Sequence, residues 1–214
     1  MERDLFIVVA GNIGVGKTTL ARELATMLQG RLFEEPVNGN PYLEDFYADP
    51  KRWAFEFQLF MLSHRVEQHL QIAYSRGVRL EDRGVLEDTL FAEMLHRDGV
   101  LDERAWRTYL DHYGRLSRHL VNPDVILYLD ATPEECLDRV RERGRPCEKS
   151  LPLFYLQSLD SAYRGWLEAI EGKLNVTRLP WHDGDRDPRR AVDAIEAASG
   201  AAVRWRERWG RHLP

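Results

Sequence analysis

The sequence predicts an α/β fold, a five-stranded parallel sheet flanked by helices on both faces. Two observations predict it. Five short apolar runs, at 5–10, 31–35, 78–82, 125–130 and 175–179, alternate with longer amphipathic segments, and strands spaced by helices in this way form parallel sheets covered on both sides. The first run is followed at once by Gly11-Asn12-Ile13-Gly14-Val15-Gly16-Lys17-Thr18 and then by the helical stretch Thr19-Leu20-Ala21-Arg22-Glu23-Leu24. That is the G-x-x-x-x-G-K-[ST] phosphate-binding loop in its confirming context, strand before and helix after.

The chain has 214 residues, 43% hydrophobic and 10% aromatic, which is enough for one good core and short for two. We read 1–214 as a single domain. Net charge is −5 and no block of Lys and Arg stands apart from the acidic residues, so no nucleic-acid surface is advertised and a small partner is expected. Cys136 and Cys147 are the only cysteines, without C-x-x-C or Cys/His spacing, which gives neither a disulfide framework nor a zinc site. No apolar run approaches the roughly 20 residues of a membrane span, and the first strand begins too early for a signal peptide. The expected compartment is the cytoplasm.

In the loop, the glycines let backbone N–H groups curl around a phosphate while the new helix points its positive end at it. Lys17 reaches the outer phosphates and Thr18 ligates magnesium in such a loop. The second run ends Glu34-Glu35-Pro36-Val37. Pro36 cannot continue a central strand, so Glu35 is expected at the mouth of the sheet, where ligands of parallel sheets bind. There it either takes a proton from an attacking hydroxyl or is an ordinary strand-end carboxylate.

After the turn-rich Asn38-Gly39-Asn40-Pro41 the pattern predicts a long helix over 51–75. Gln58, Met61 and Arg65 share one face of it, as a slot for a planar hydrogen-bonding ring or as solvated surface residues. His64 and His69 lie five apart, not at the spacing of a helical metal pair, and receive no role. The third run ends Asp82-Arg83-Gly84. The carboxylate suits an outer partner of hydrated magnesium, and Arg83 either neutralises a transferring phosphoryl group or serves a salt bridge.

A further amphipathic helix is expected over 102–120, with Trp106, Tyr109, Leu110, Tyr113, Leu116 and Leu120 on its buried side. Its Asp111-His112-Tyr113-Gly114 mimics a GTPase D-x-x-G, but it follows no apolar strand and no N-K-x-D occurs. After the fourth run, Thr132 and Pro133 read as the N-cap and first position of a helix that Gly144 breaks. Arg139 and Arg143 share a face, Arg141 lies off it, and Arg145 follows the glycine. The cluster exceeds what helix capping requires and suggests a lid that closes over phosphates. A helix over 152–172 is mostly core, the polar loop 181–188 can border the purine of a nucleotide donor, and a last helix starts at Arg189. The tail with Trp205 and Trp209 reads as an amphipathic end packed on the body or on a partner.

Taken together, G-N-I-G-V-G-K-T, E-E-P-V, W-A-F-E-F-Q, D-R-G, A-T-P-E-E-C and R-E-R-G-R, in this order, resemble the deoxyribonucleoside kinase family. The stretch 40–47, N-P-Y-L-E-D-F-Y, is most similar to its bacterial deoxypurine branch. The resemblance implies a P-loop kinase with an arginine-rich lid that moves the γ-phosphate of ATP, with Mg2+, to the 5′-hydroxyl of a deoxyribonucleoside in nucleoside salvage. It implies Glu35 as the general base, and Tyr47 and Glu148 as the pair on the 3′-hydroxyl. Gln58, Arg65 and Asp88 would read the base edge, with Phe57 and Met61 lining the ring slot. Asp82 and Thr18 would serve the metal, with Arg83 on the phosphate. Gly11, Asn12, Gly14, Val15, Gly16, Lys17, Thr18, Thr19, Arg139, Arg143 and Arg145 would hold ATP. Gly84 stands where the family usually has Ser, and Arg141 has no counterpart. A homodimer is also implied, in keeping with two helices too aromatic for one buried face each.

Base choice follows from donors and acceptors. Ionised Asp88 only accepts, so it welcomes an exocyclic amine and disfavours the thymine carbonyl, whereas Arg65 only donates. A deoxypurine is expected, with deoxycytidine as an alternative. A thymidylate-like monophosphate kinase shares the loop and lid, but Glu35 would repel its substrate. A non-catalytic nucleotide sensor would leave the acceptor-side residues without purpose.

Overall fold

The computed structural model describes residues 4–209 apart from 36 and 38, with side chains up to 200. All five expected strands form, as β1 (Leu5–Gly11), β2 (Arg31–Phe33), β3 (Val78–Asp82), β4 (Val125–Asp130) and β5 (Val176–Pro180). They make one parallel sheet in the order β2-β3-β1-β4-β5. The first strand is thus central. Every residue of β1 is buried, as a continuous apolar run covered on both faces requires. Alternate residues of β1 feed two cores. Phe6, Val8 and Ala10 pack with Leu62, Leu95, Tyr109 and Tyr163 on one side, and Leu5, Ile7 and Val9 pack with Leu20, Leu24, Leu137 and Leu156 on the other.

The helices are α1 (Lys17–Met27), α2 (Leu43–Ala48), α3 (Pro50–Tyr74), α4 (Asp88–Arg97), α5 (Glu103–Leu116), α6 (Pro133–Arg143), α7 (Leu153–Ile170) and α8 (Pro188–Trp209). The long helix α3 starts where Asp49 accepts from the Arg52 N–H and Pro50 sets the first turn. Thr132 caps α6 in a reciprocal box with Glu135, and Gly144 ends it at φ 67°. Two helices lie outside the sequence expectations, the six-residue α2 and the ten-residue α4.

Helix α5 ends at Leu116 and a 3₁₀ turn (Ser117–His119) takes over. Of its expected buried side only Tyr109 is fully enclosed. Leu110 is 38% exposed, a correction to the periodicity reading, because the apolar stripe is wider than the face that α5 turns to the core. The Asp111-to-Gly114 stretch lies inside this helix and so is no nucleotide switch. His69 is buried, accepts from the Val121 N–H at 3.0 Å and lies 3.8 Å from Glu81. No group of metal-ligating side chains occurs among the described residues. No helix among the described residues is long and apolar enough to cross a membrane. Pro36 and the side chains of Trp205 and Trp209 lie outside what is described.

Candidate active site

The carboxyl ends of β1, β2 and β3 open into a cleft of about 560 Å³, the place where parallel sheets bind ligands. One wall is the phosphate loop. Gly14 has φ 81°, and a Cβ there would lie 2.3 Å from the Cys136 carbonyl oxygen, so only glycine lets the loop press against α6. Gly16, at φ 108°, turns the chain into α1. The Lys17 Nζ donates to the carbonyls of Gly11 at 3.0 Å and Asn12 at 2.8 Å, folded onto its own loop. Burial, with the nearby Arg83 cation, lowers its pKa to about 8. Asn12, expected beside ATP, spends its side chain on the Leu156 carbonyl and the Ile13 N–H, which fastens the loop to α7.

The Thr18 hydroxyl donates to Asp82 Oδ2 at 2.5 Å. Asp82 is buried at the tip of β3, and its Oδ1 has no hydrogen-bond partner among the described residues. Burial first, then the Glu35 charge, push its pKa up. A hydroxyl beside a carboxylate oxygen that still needs a partner is a hard-oxygen donor set, the kind magnesium takes.

Glu35 lies at the end of β2 between two arginines. Arg65 Nη2 donates to its Oε1 at 2.5 Å, and Arg83 Nε lies 2.9 Å from the same oxygen. Burial alone would raise the Glu35 pKa, but Arg83, Arg65 and Lys17 outweigh it and hold the carboxyl at about 2. The group is therefore a carboxylate, able to accept a proton. Arg65 also pairs with Asp88, which is fully buried behind it, so Asp88 meets the cleft through Arg65.

Gln58, Met61 and Arg65 are all buried and line the cleft, so the α3 face that they share is not a solvated surface. Phe57 stacks on Phe46 at 4.5 Å between ring centroids, and Asn40 Nδ2 reaches the Met61 sulfur at 3.3 Å. Tyr47 and Glu148 both line the cleft, and burial holds the Tyr47 phenol protonated, its pKa pushed well up.

The arginines after β4 behave unequally. Arg139 is tied down, donating to the carbonyls of Val15 and Trp181 and to Asp183. Arg143 and Arg145 both donate to Glu148, at 2.7 and 3.3 Å. Arg141 points away and pairs with Asp138 at the surface. Gly84 also has a local cause. A Cβ there would meet a Val8 methyl at 2.9 Å and Glu81 Oε2 at 3.2 Å, so a serine would require these two side chains to shift. Two residues without a role in the sequence reading, Glu87 and Tyr163, adjoin Arg83. Tyr163 read as core by its spacing, and Glu87 carried no motif of its own.

The family described as deoxynucleoside kinase matches residues 7–195. A deoxyadenosine kinase of Dictyostelium discoideum is 40% identical over 89% of this chain and 78% of its own. A deoxyadenosine/deoxycytidine kinase of Bacillus subtilis is 34% identical over 91% and 93%. Among solved structures, the deoxyadenosine kinase from M. mycoides with products dCMP and dCDP superimposes with a TM-score of 0.80, at 27% identity over 91% of this chain and 98% of that one. The chain belongs to the deoxynucleoside kinase family, enzymes that phosphorylate deoxyribonucleosides.

Proposed function

We propose that the chain transfers the γ-phosphate of ATP to the 5′-hydroxyl of a deoxypurine nucleoside in salvage, as one kinase domain in the cytoplasm. The observation that carries this is the carboxylate of Glu35, held between Arg65 and Arg83 across the cleft from Lys17. A nucleoside with its base in the Gln58–Met61–Arg65 slot and its 3′-hydroxyl on Tyr47 and Glu148 brings its 5′-hydroxyl to Glu35, which accepts the proton. The ring beside Phe57 fixes the base, and Asp88, acting with Arg65, selects bases that donate where thymine accepts. Lys17 turns from the Gly11 and Asn12 carbonyls to the phosphates of ATP, and the amides of Gly14, Val15 and Gly16 with Thr19 at the helix start cradle them. Transfer through a loose transition state asks for positioning and charge neutralisation, which Arg83, Arg143 and Arg145 supply, while Arg139 frames the donor side. Thr18 and Asp82 are the residues that would hold magnesium, which would supply further charge neutralisation.

The relatives named for deoxyadenosine support adenine, and the dCMP product in the M. mycoides structure supports a second reading in which deoxycytidine is accepted. Initial rates with ATP and magnesium against deoxyadenosine, deoxyguanosine, deoxycytidine, thymidine and thymidine monophosphate test the proposal. A deoxypurine fastest and thymidine slow is expected; turnover of the monophosphate alone would overturn it. Two free cysteines fit a reducing compartment. The proposal includes a homodimer through α3 and α5, supported by part-exposed Trp53, Phe60, Leu110 and Tyr113 on these helices. A monomer at micromolar concentration in sedimentation would remove it.

A further inference from the structure

Arg83 occupies a backbone conformation that L residues rarely adopt, with φ 65°, so something must hold it there. Its N–H donates to the Val9 carbonyl at 3.1 Å, and its guanidinium lies 4.5 Å above the Phe91 ring. Around the guanidinium is a second set of contacts that the reaction as described does not use. Arg83 Nη1 donates to the Tyr163 hydroxyl at 3.0 Å, and Tyr163 donates to Glu87 Oε2 at 2.6 Å. Glu87 further accepts the Gly84 N–H on Oε1 at 2.9 Å and the Gly11 N–H on Oε2 at 3.4 Å. Both Glu87 and Tyr163 are fully buried, although they stand 76 positions apart, on the turn before α4 and on α7.

We infer that Glu87 and Tyr163 are positioning residues that hold Arg83 and the first residue of the phosphate loop in one rigid frame. The argument is one of hydrogen-bond direction. A tyrosine hydroxyl has one proton, and an arginine only donates. Arg83 can therefore be fixed by Tyr163 only if the hydroxyl proton points elsewhere, and Glu87 takes it. The same carboxylate receives Gly11, the last residue of β1, and Gly84, the residue after Arg83. Any shift of the Asp82-Arg83-Gly84 turn relative to the phosphate loop breaks at least one of its three bonds. A turn cap alone would need one acceptor oxygen, whereas both Glu87 oxygens are engaged, Oε1 by Gly84 and Oε2 by Tyr163 and Gly11. Three donors on one enclosed carboxylate, two of them backbone N–H groups from the adjoining ends of β1 and β3, indicate a brace between the phosphate loop and the Arg83 turn.

The inference rests on the proposal that Arg83 faces the transferred phosphate, and the test separates the two. Tyr163→Phe, Arg83→Lys and the double variant are assayed with ATP and the nucleoside that the rate panel ranks first. The expected result is a kcat about 10-fold lower in Tyr163→Phe with nucleoside KM within about twofold, a loss of about 100-fold or more in Arg83→Lys, and no added loss from Tyr163→Phe on the Arg83→Lys background. Glu87→Gln is expected to follow Tyr163→Phe and is judged by the same criteria if the phenylalanine variant does not fold. Unchanged kcat in the brace variants beside a large loss in Arg83→Lys, or losses that multiply in the double variant, would overturn the brace and leave Arg83 on the phosphate. Full turnover in Arg83→Lys would remove both. A role in stability alone would lower the unfolding temperature without splitting kcat from KM.

Discussion

The floor and the rim of the cleft use the same chemistry, arginine against carboxylate, under different constraints. On the floor, the side chains of Arg65, Asp88, Arg83 and Glu35 are 5, 1, 2 and 19% exposed, and each arginine has more than one partner. On the rim, Arg143 and Arg145 are 36 and 38% exposed and share the single carboxylate of Glu148. With both arginines part-exposed, leaving Glu148 strands neither cation, so the rim can be rearranged provided that Glu148, itself 5% exposed, gains another partner. Buried pairs cannot be, since removing one partner strands a charge. The floor is therefore set before substrate arrives, whereas in the proposed mechanism the rim arginines exchange Glu148 for phosphate as the nucleoside 3′-hydroxyl takes that carboxylate.

The largest effect should come from breaking the floor at its centre. Glu35→Gln removes the proposed proton acceptor and keeps the shape, so kcat is expected to fall by on the order of 10³-fold, with nucleoside binding, measured by calorimetry, retained. Retained turnover would place the base elsewhere. Breaking the rim should cost less. Arg143→Ala is expected to lower kcat by on the order of 10²-fold, as for the loss of one preorganised donor. Its residual rate should also be less sensitive to salt than that of the unaltered enzyme, because an exposed cation is screened. Equal losses at Glu35 and Arg143 would erase the distinction between floor and rim.

A pH profile sharpens the comparison at the phosphate loop. Lys17, with its pKa lowered to about 8 in the buried, unliganded loop, loses its charge as pH rises past 8, whereas donor phosphates beside it favour the charged form. The expected outcome is that kcat/KM for ATP falls above pH 8 while kcat at saturating ATP persists to higher pH. Stability moves the other way. Between pH 8 and the ordinary lysine value the unfolded chain binds the extra proton, so the protein without ATP should gain stability over that window, read as a rising Tm. Glu35, held at about 2, contributes nothing to either profile above pH 5. Coincident alkaline limbs for kcat and kcat/KM would show that Lys17 does not govern them.

The parts of this arrangement that were legible in the sequence share one property, that their geometry is local. The phosphate loop, the α6 cap at Thr132 and the Gln58–Met61–Arg65 face each depend on residues within two turns of one another. Strands β1 and β4 were legible because a buried parallel strand is apolar along its length, whereas β3, Val78-Arg79-Leu80-Glu81-Asp82, carries three charged residues and showed itself only by its place between helical patterns. What was not legible is long-range. Arg65 reaching Glu35 spans 30 positions, and Tyr163 reaching Glu87 spans 76, and no periodicity encodes such a meeting. Helix α4 was missed because its Leu90, Phe91, Ala92, Met94 and Leu95 form a nearly continuous apolar run too short to show a period, and α2 is shorter still. The arginines of 139–145 read as one cluster with Arg141 off its face, but that Arg139 is a tether while Arg143 and Arg145 are rim cations comes only from the fold.

That division yields the smallest expected effect. Arg141 is 67% exposed and, among the described residues, pairs with Asp138, itself 69% exposed, three positions earlier on α6. Charge alone does not distinguish it from Arg143, two residues on. If the lid acted as a diffuse positive patch that draws in ATP, Arg141→Ala should weaken KM for ATP about as much as Arg143→Ala does, since screening over roughly 8 Å treats near neighbours alike. If the rim acts through particular contacts, Arg141→Ala should leave kcat and KM within about twofold and change stability by under about 0.5 kcal/mol, as a solvent-exposed pair does. The directions of the two side chains favour contacts: Arg143 already turns into the cleft, onto Glu148, while Arg141 turns outward.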